Sequence, residues 1–129
     1  MYVGGRAGNQ PSPSEKAVIT AACERLIAEQ LRPRFLPEVR SSTRFNYPVA
    51  IEGKWFGNKY RFFTRYRSDD PRSLQAEFNA PFARLDYARW DCFDLMWHRH
   101  TGEWHCVGER LSLAEALDRI ASEPYFQPC

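Results

Sequence analysis

The chain has 129 residues, 43% of them hydrophobic and 15% aromatic, with a formal net charge of +2, which is the size and composition of one folded domain. A chain of this length buries enough surface to fold without a disulfide or a metal. Its composition excludes intrinsic disorder, and its near-neutral charge excludes the strongly basic footprint of a dedicated nucleic-acid binder.

The apolar stretches are too short to span a bilayer, and Met1–Ser14 carry no apolar run. Neither a membrane partner nor a signal peptide is expected, and the expected location is the cytoplasm. Only Lys16, Lys54 and Lys59 among the 18 cations are lysines, leaving 15 arginines. Codon bias accounts for such an excess, and so does a need for planar forks that grip carboxylate or phosphate. Cys23, Cys92, Cys106 and Cys129 form no Cys-x-x-Cys pair, so zinc ribbons and dithiol redox motifs are not supported.

Residues 1–11 hold three glycines and a proline and read as a flexible tail, with a single α+β domain over 12–129. Ser12-Pro13-Ser14-Glu15 predicts a helix start, with Ser12 as N-cap, Pro13 at N1 and Glu15 completing a capping box. The helix is predicted to run to about Leu31 on a stripe of Val18, Ile19, Ala22, Cys23, Leu26, Ile27 and Leu31, and to end at Arg32-Pro33. From Thr43 the period becomes two. Phe45, Tyr47, Val49 and Ile51 alternate with Asn46, Pro48, Ala50 and Glu52, and Pro48 implies an edge strand or a bulge.

A second strand, Lys59–Arg67, turns Tyr60, Phe62 and Tyr66 inward and Lys59, Arg61, Phe63, Arg65 and Arg67 outward. Ser68–Pro81 reads as a loop of about 14 residues, long for a compact domain. Strands Phe82–Arg89, Phe93–His100 and Glu103–Gly108 follow, the last two joined by a two-residue hairpin at Thr101-Gly102. A final helix is predicted near Leu111, with Ser112 as N-cap, Glu115 at N3 and a stripe of Leu113, Leu117 and Ile120. The tail Glu123-Pro124-Tyr125-Phe126 is placed to pack back on the body. The expected fold is two-layer α+β: N-terminal helix, five-stranded antiparallel meander, C-terminal helix.

A Thr101-Gly102 turn sets His98 opposite His105, Trp97 opposite Cys106 and Arg99 opposite Trp104. The core face then holds Phe93, Leu95, Trp97, Trp104 and Cys106. The polar face holds Asp94, Met96, His98, His100, Glu103 and His105, with Arg84 opposite His98 and Arg61, Arg65 and Arg67 continuing it.

Three readings of this face follow. His98, His100, His105 and Glu103 carry the donor chemistry of a zinc site, and with it a metal-dependent hydrolase. The arginines, interleaved with Phe63, Trp55 and Trp90, carry the forks and rings that bind anions or single-stranded nucleic acid. The third reading is a solvated or protein-docking face whose Arg–Asp and His–Glu neighbours keep the sheet soluble. No nucleophile elbow, P-loop or dinucleotide fingerprint is present, and Asp69-Asp70-Pro71 reads as a turn. The expectation is a non-enzymatic binding module without a cofactor. It would use Arg61, Arg65, Arg67, Arg84, His98 and His105 for an anionic partner: a nucleic acid, a phosphorylated ligand or an acidic protein surface. The hydrolase is the alternative.

Several segments in chain order carry a family resemblance. They are Glu15-Lys16-Ala17-Val18 with Cys23-Glu24-Arg25, Ile51-Glu52-Gly53, Arg65-Tyr66-Arg67 with Asp69-Asp70-Pro71, Trp97-x-Arg99 with Trp104-His105, and Glu123-Pro124-Tyr125. Together they resemble a family of small bacterial proteins known as a domain of unknown function, number three-zero-two-four in its series. Tyr66 stands where that family often has proline, and His98 and His100 depart from its pattern. The resemblance implies a compact bacterial cytoplasmic protein and brings no activity, cofactor or catalytic residue.

Overall fold

The computed structural model describes residues 10–36, 46–68 and 77–126. Helix α1, Pro13–Leu26, opens on the predicted capping box: the Glu15 N–H donates to Ser12 Oγ at 3.1 Å and the Ser12 N–H donates to Glu15 Oε1 at 2.9 Å. Ile19, Cys23 and Leu26 are its buried residues, whereas Val18, expected on the stripe, is 52% exposed. Val18 lies about 100° around the helix from Ile19, off the face that meets the sheet.

Pro33 does not stop the helix. A π-helical segment, Ile27–Leu31, precedes it, and α2, Arg32–Phe35, follows. The Arg32 N–H reaches back five residues to the Ile27 carbonyl. This wider winding lies just ahead of the proline, where a ring without an N–H would otherwise crowd an α-helical carbonyl.

Five strands form one antiparallel sheet in the order β1-β2-β3-β4-β5: β1 Asn46–Phe56, β2 Lys59–Ser68, β3 Glu77–Arg89, β4 Cys92–His98 and β5 Trp104–Leu111. β1 is an edge strand, and its register shifts between Pro48 and Ala50. Both outcomes expected of Pro48 therefore occur, because proline has no N–H to give a ladder. β2 ends at Ser68 and β3 starts at Glu77, so both ends of the predicted loop are strand; residues 69–76, with Asp69-Asp70-Pro71 among them, Phe45 and the tail residues 1–9 lie outside the described residues.

Helix α3, Leu113–Ser122, has the predicted capping box between Ser112 and Glu115. A short 3₁₀ turn, Pro124–Phe126, then carries Phe126 into the core at 1% exposure. The core joins Ile19, Cys23, Ile27 and Leu31 from the first helical segments to Ile51, Tyr60, Phe62, Leu85, Phe93 and Leu95 from the sheet and Ile120 from α3. Each such side chain contributes about 1.5–3 kcal/mol when removed from water. The helices thus cover one face, and no described helix packs on the other. Among the described residues, no helix is long and apolar enough to cross a membrane.

The β4–β5 hairpin differs from the expected one by a single residue. The Arg99 N–H donates to the Glu103 carbonyl and the Gly102 N–H to the Arg99 carbonyl, both at 2.9 Å. Gly102 has φ +92°. The loop is therefore the three residues His100, Thr101 and Gly102, a turn closed by a glycine in left-handed conformation. His98 now faces Trp104, Trp97 faces His105 and Met96 faces Cys106. A one-residue slip turns every side chain to the opposite side. Trp104 leaves the core face for the open one, and His105 does the reverse.

Candidate sheet-face binding site

The open face is a grid set by the strand registers. One row runs Lys54, Arg61, Arg84, Met96 and Cys106 across β1 to β5. The next holds Glu52, Phe63 and Pro81, and a third pairs Ala50, Arg65 and Asn79. Arg67 faces Glu77 beyond them. On the other side of the Arg61 row, Phe56, Lys59, Asp86 and Asp94 line up. Alternation along β2 alone was enough to predict Arg61, Arg65 and Arg67 on this face, and Arg84 and His98 join them. Arg84 faces Met96, two residues from the expected His98, because the two-residue turn at Trp90-Asp91 moves the register by one and the irregularity between Tyr87 and Arg89 by one more. A two-residue shift preserves the face.

Most of these cations have a carboxylate. Arg65 Nη2 lies 2.9 Å from Glu52 Oε2, and its Nε lies 3.8 Å from Glu77. Arg67 donates to Glu77 at 2.9 Å. Arg84 holds Asp86 in a fork of 2.7 and 2.9 Å, with side chains only 14% and 21% exposed. Arg61 differs. Among the described residues no carboxylate pairs with it, and its buried Nε has no hydrogen-bond partner. Its guanidinium lies 4.4 Å from the centre of the Phe56 ring and 5.7 Å from that of Trp104. Trp104 also receives Arg84 at 4.7 Å and the edge of His98 at 4.8 Å. Burial, and then the charge of Arg61, hold the His98 imidazole below its ordinary pKa, which keeps it neutral near pH 7.

A trough of about 530 Å³ opens on the β1–β3 side of this face, lined by Glu52, Lys54, Phe56, Arg61, Phe63 and Arg65 among others. Phe56 and Phe78 are 44% and 38% exposed. Phe78 pairs with Tyr66 and stacks on it at 5.3 Å, so its ring lies on the opposite side of the sheet from Phe56 and Arg61.

His105 sits outside this site. It lies on the helix-covered face near the sheet edge, 6.3 Å from the Trp97 ring centre and 3.5 Å from Glu103. His100 is in the hairpin loop. His98 and His105 therefore do not converge, and among the described residues no group of three or more His, Cys, Asp or Glu is arranged to hold a metal ion. The aromatic set also changes. Phe63 is on the face, but Trp55 points to the helix layer, where its Nε1–H donates to Thr20 Oγ1 at 2.8 Å, and Trp90 occupies the β3–β4 turn. Arg99 lies over Trp97 at 5.9 Å rather than over Trp104. Sequence reasoning missed Phe56 and Trp104. The β1–β2 turn at Gly57-Asn58 was a usable signal for Phe56, which faces Lys59 across it. Trp104 depended on the hairpin register.

The family model described as a domain of unknown function, DUF3024, matches residues 11–128. None of the curated proteins and none of the solved structures matches the chain.

Proposed function

Because this chain belongs to the DUF3024 family, a domain of unknown function, no activity passes to it from relatives, and we propose from its own geometry that the open sheet face is a non-enzymatic binding surface for an anionic partner. Arg61 carries this reading. It is a half-buried guanidinium flanked by two rings, with no carboxylate partner among the described residues. Rings hold such a cation in place without neutralising it, so its charge is left for an incoming anion. Lys54 and Lys59 flank it on the same face and extend the positive patch, while Arg65, Arg67 and Arg84 are already engaged by carboxylates. A neutral His98 adds a hydrogen-bonding group that does not compete for the anion. A bacterial cytoplasmic setting suits the free thiols of Cys23, Cys92 and Cys106.

The test is a titration of isotope-labelled protein with inorganic polyphosphate at low and moderate salt. Amide shifts confined to Lys54–Arg61 and Arg84, weakening with salt and lost in Arg61→Ala, are expected. Shifts that are absent at millimolar ligand, or unchanged in Arg61→Ala, overturn the reading.

A further inference from the structure

We propose that two copies of this chain pair edge to edge through β1, with Gly53 against Gly53 of the partner subunit, so that their sheets run on as one. The inference stands on the β1 edge and not on the anion reading of the open face.

First, the outer edge of β1 is open to a further strand. Gly57-Asn58 joins β1 to β2 as a two-residue turn, which makes Phe56 and Lys59 a hydrogen-bonded pair. Bonded and non-bonded pairs alternate along an antiparallel ladder. Lys54–Arg61 and Glu52–Phe63 therefore bond as Phe56–Lys59 does, whereas Ile51, Gly53 and Trp55 turn their N–H and C=O groups away from β2. Arg32 marks the same direction, because its Nη2 donates to the outward Ile51 carbonyl at 3.3 Å. Among the described residues, no strand lies on that side of β1 and no group bonds the outward amides of Gly53 and Trp55. Such an edge is a template for another strand. The irregularity at Pro48 leaves the register even from Ala50 to Phe56.

Second, charge selects the occupant and its register. Antiparallel pairing of two β1 edges can be centred on Glu52, Gly53 or Lys54. Centring on Glu52 or on Lys54 sets like charges directly opposite, which is destabilising. Centring on Gly53 sets Lys54 against the partner's Glu52, and the two-fold axis repeats that pair. On the helix side it brings Trp55 beside the partner's Ile51. The two glycines meet where neither has a Cβ. Ile51, Gly53 and Trp55 of the two copies then exchange about six main-chain hydrogen bonds. The Ile51 carbonyl has a second lone pair for this while Arg32 keeps the first.

Third, the trough on the open face takes Glu52, Lys54 and Phe56 from β1, so its outer flank is this same edge. A second copy adds the partner's Glu52 and the partner's Lys54 to that rim. Both open faces then lie on one side of a continuous sheet. Strand spacing and rise put the two Arg61 positions about 16 Å apart across the axis.

The experiment measures the mass of the full chain by sedimentation from micromolar to near-millimolar concentration, with amide exchange by NMR at both ends of the range. A species of twice the 15.1 kDa chain mass is expected. The Gly53 and Trp55 amides should exchange more slowly as it forms, while the Lys54 amide, bonded to β2, serves as the internal control. Lys54→Glu sets carboxylates opposite one another twice and should weaken the dimer about tenfold. Glu52→Lys combined with Lys54→Glu restores the opposite charges and should recover most of that loss. Circular dichroism checks that both variants fold, and the exchange measurement needs neither. A chain that stays monomeric throughout overturns the inference. So does a dimer in which the Gly53 and Trp55 amides exchange as fast as in the monomer, or one indifferent to Lys54→Glu. The anion reading of Arg61 is unaffected by any of these results.

Discussion

Gly53→Ala tests whether the packing under β1 is as tight as the geometry states. Gly53 sits on the helix-covered face of β1, where the ring of Tyr60 crosses it from β2. A Cβ at this position would lie 2.2 Å from Tyr60 Oη and 2.4 Å from two ring carbons. Ordinary contact needs more than an ångström beyond that, and Tyr60 has little room to yield. It is 1% exposed and wedged edge-on between Trp55 and Phe62, each 5.3 Å away between ring centres. Overpacking of this kind costs about 1–3 kcal/mol, and the trapped ring puts Gly53→Ala near the upper end. Relief of glycine's backbone entropy returns only about 0.5–1 kcal/mol. The net expectation is a loss of about 2 kcal/mol, read as a fall of about 1 M in the urea midpoint with an unchanged slope. Circular dichroism during urea unfolding measures it. In a Tyr60→Leu background the same alanine should cost close to nothing, and this non-additivity separates the clash from a general strand effect. A Gly53→Ala chain as stable as the parent, or more so, refutes the reasoning. The Gly of the Ile51-Glu52-Gly53 segment would then need another explanation.

Three further outcomes follow from particular contacts. Arg119 donates from Nη1 to the Val107 carbonyl at 2.8 Å and from Nε to Glu123 at 2.7 Å, so Arg119→Ala should lower thermal stability by about 1–2 kcal/mol; an unchanged melting temperature contradicts it. The Ser12 backbone N–H and then the Tyr87 hydroxyl hold the Glu15 carboxyl below its ordinary pKa. A depressed carboxylate stabilises the fold above the unfolded value and loses that contribution as pH falls through the folded one; Tyr87→Phe should therefore reduce the loss of stability below about pH 4.5, and an identical acid limb in chemical unfolding counts against the contact. Arg61→Ala removes a cation near His98, so the His98 imidazole should titrate at higher pH in nitrogen NMR, with a constant or lower midpoint as the contrary result. In the parent chain the depressed His98 pKa means that stability falls as pH drops from about 6.5 toward the folded value, because the unfolded state takes the proton first.

Legibility in the sequence followed the range of the interactions. The capping boxes at Ser12 and Ser112 close within three residues, and they stand as read. The outward row Arg61, Phe63, Arg65 and Arg67 needs only the two-residue period of one strand. Pro48 announced both an edge and a bulge because a missing N–H is a local fact. Pro33 was misread for a related reason: whether a helix tolerates proline depends on the winding of the turn before it, and here a π-helical segment accommodates it. Val18 went astray because the apolar stripe is broad, and only the sheet's position selects which part of it is covered.

By itself, the sequence determined the order of elements, their caps, the two-layer class and the arginine face of β2. Each of these follows from the conformational preferences of neighbouring residues and from periodic burial. Only the tertiary structure decided what shares that face with the arginines. A glycine near the end of a hairpin closes a two-residue or a three-residue loop, and the sequence of the turn admits both. The three-residue loop prevails, setting Trp104 among Arg61, Arg84 and His98 and sending His105 to the helix side. The physical reason is the two-residue repeat of a strand: a single residue of register, set by pairing and core packing together, exchanges the two faces completely.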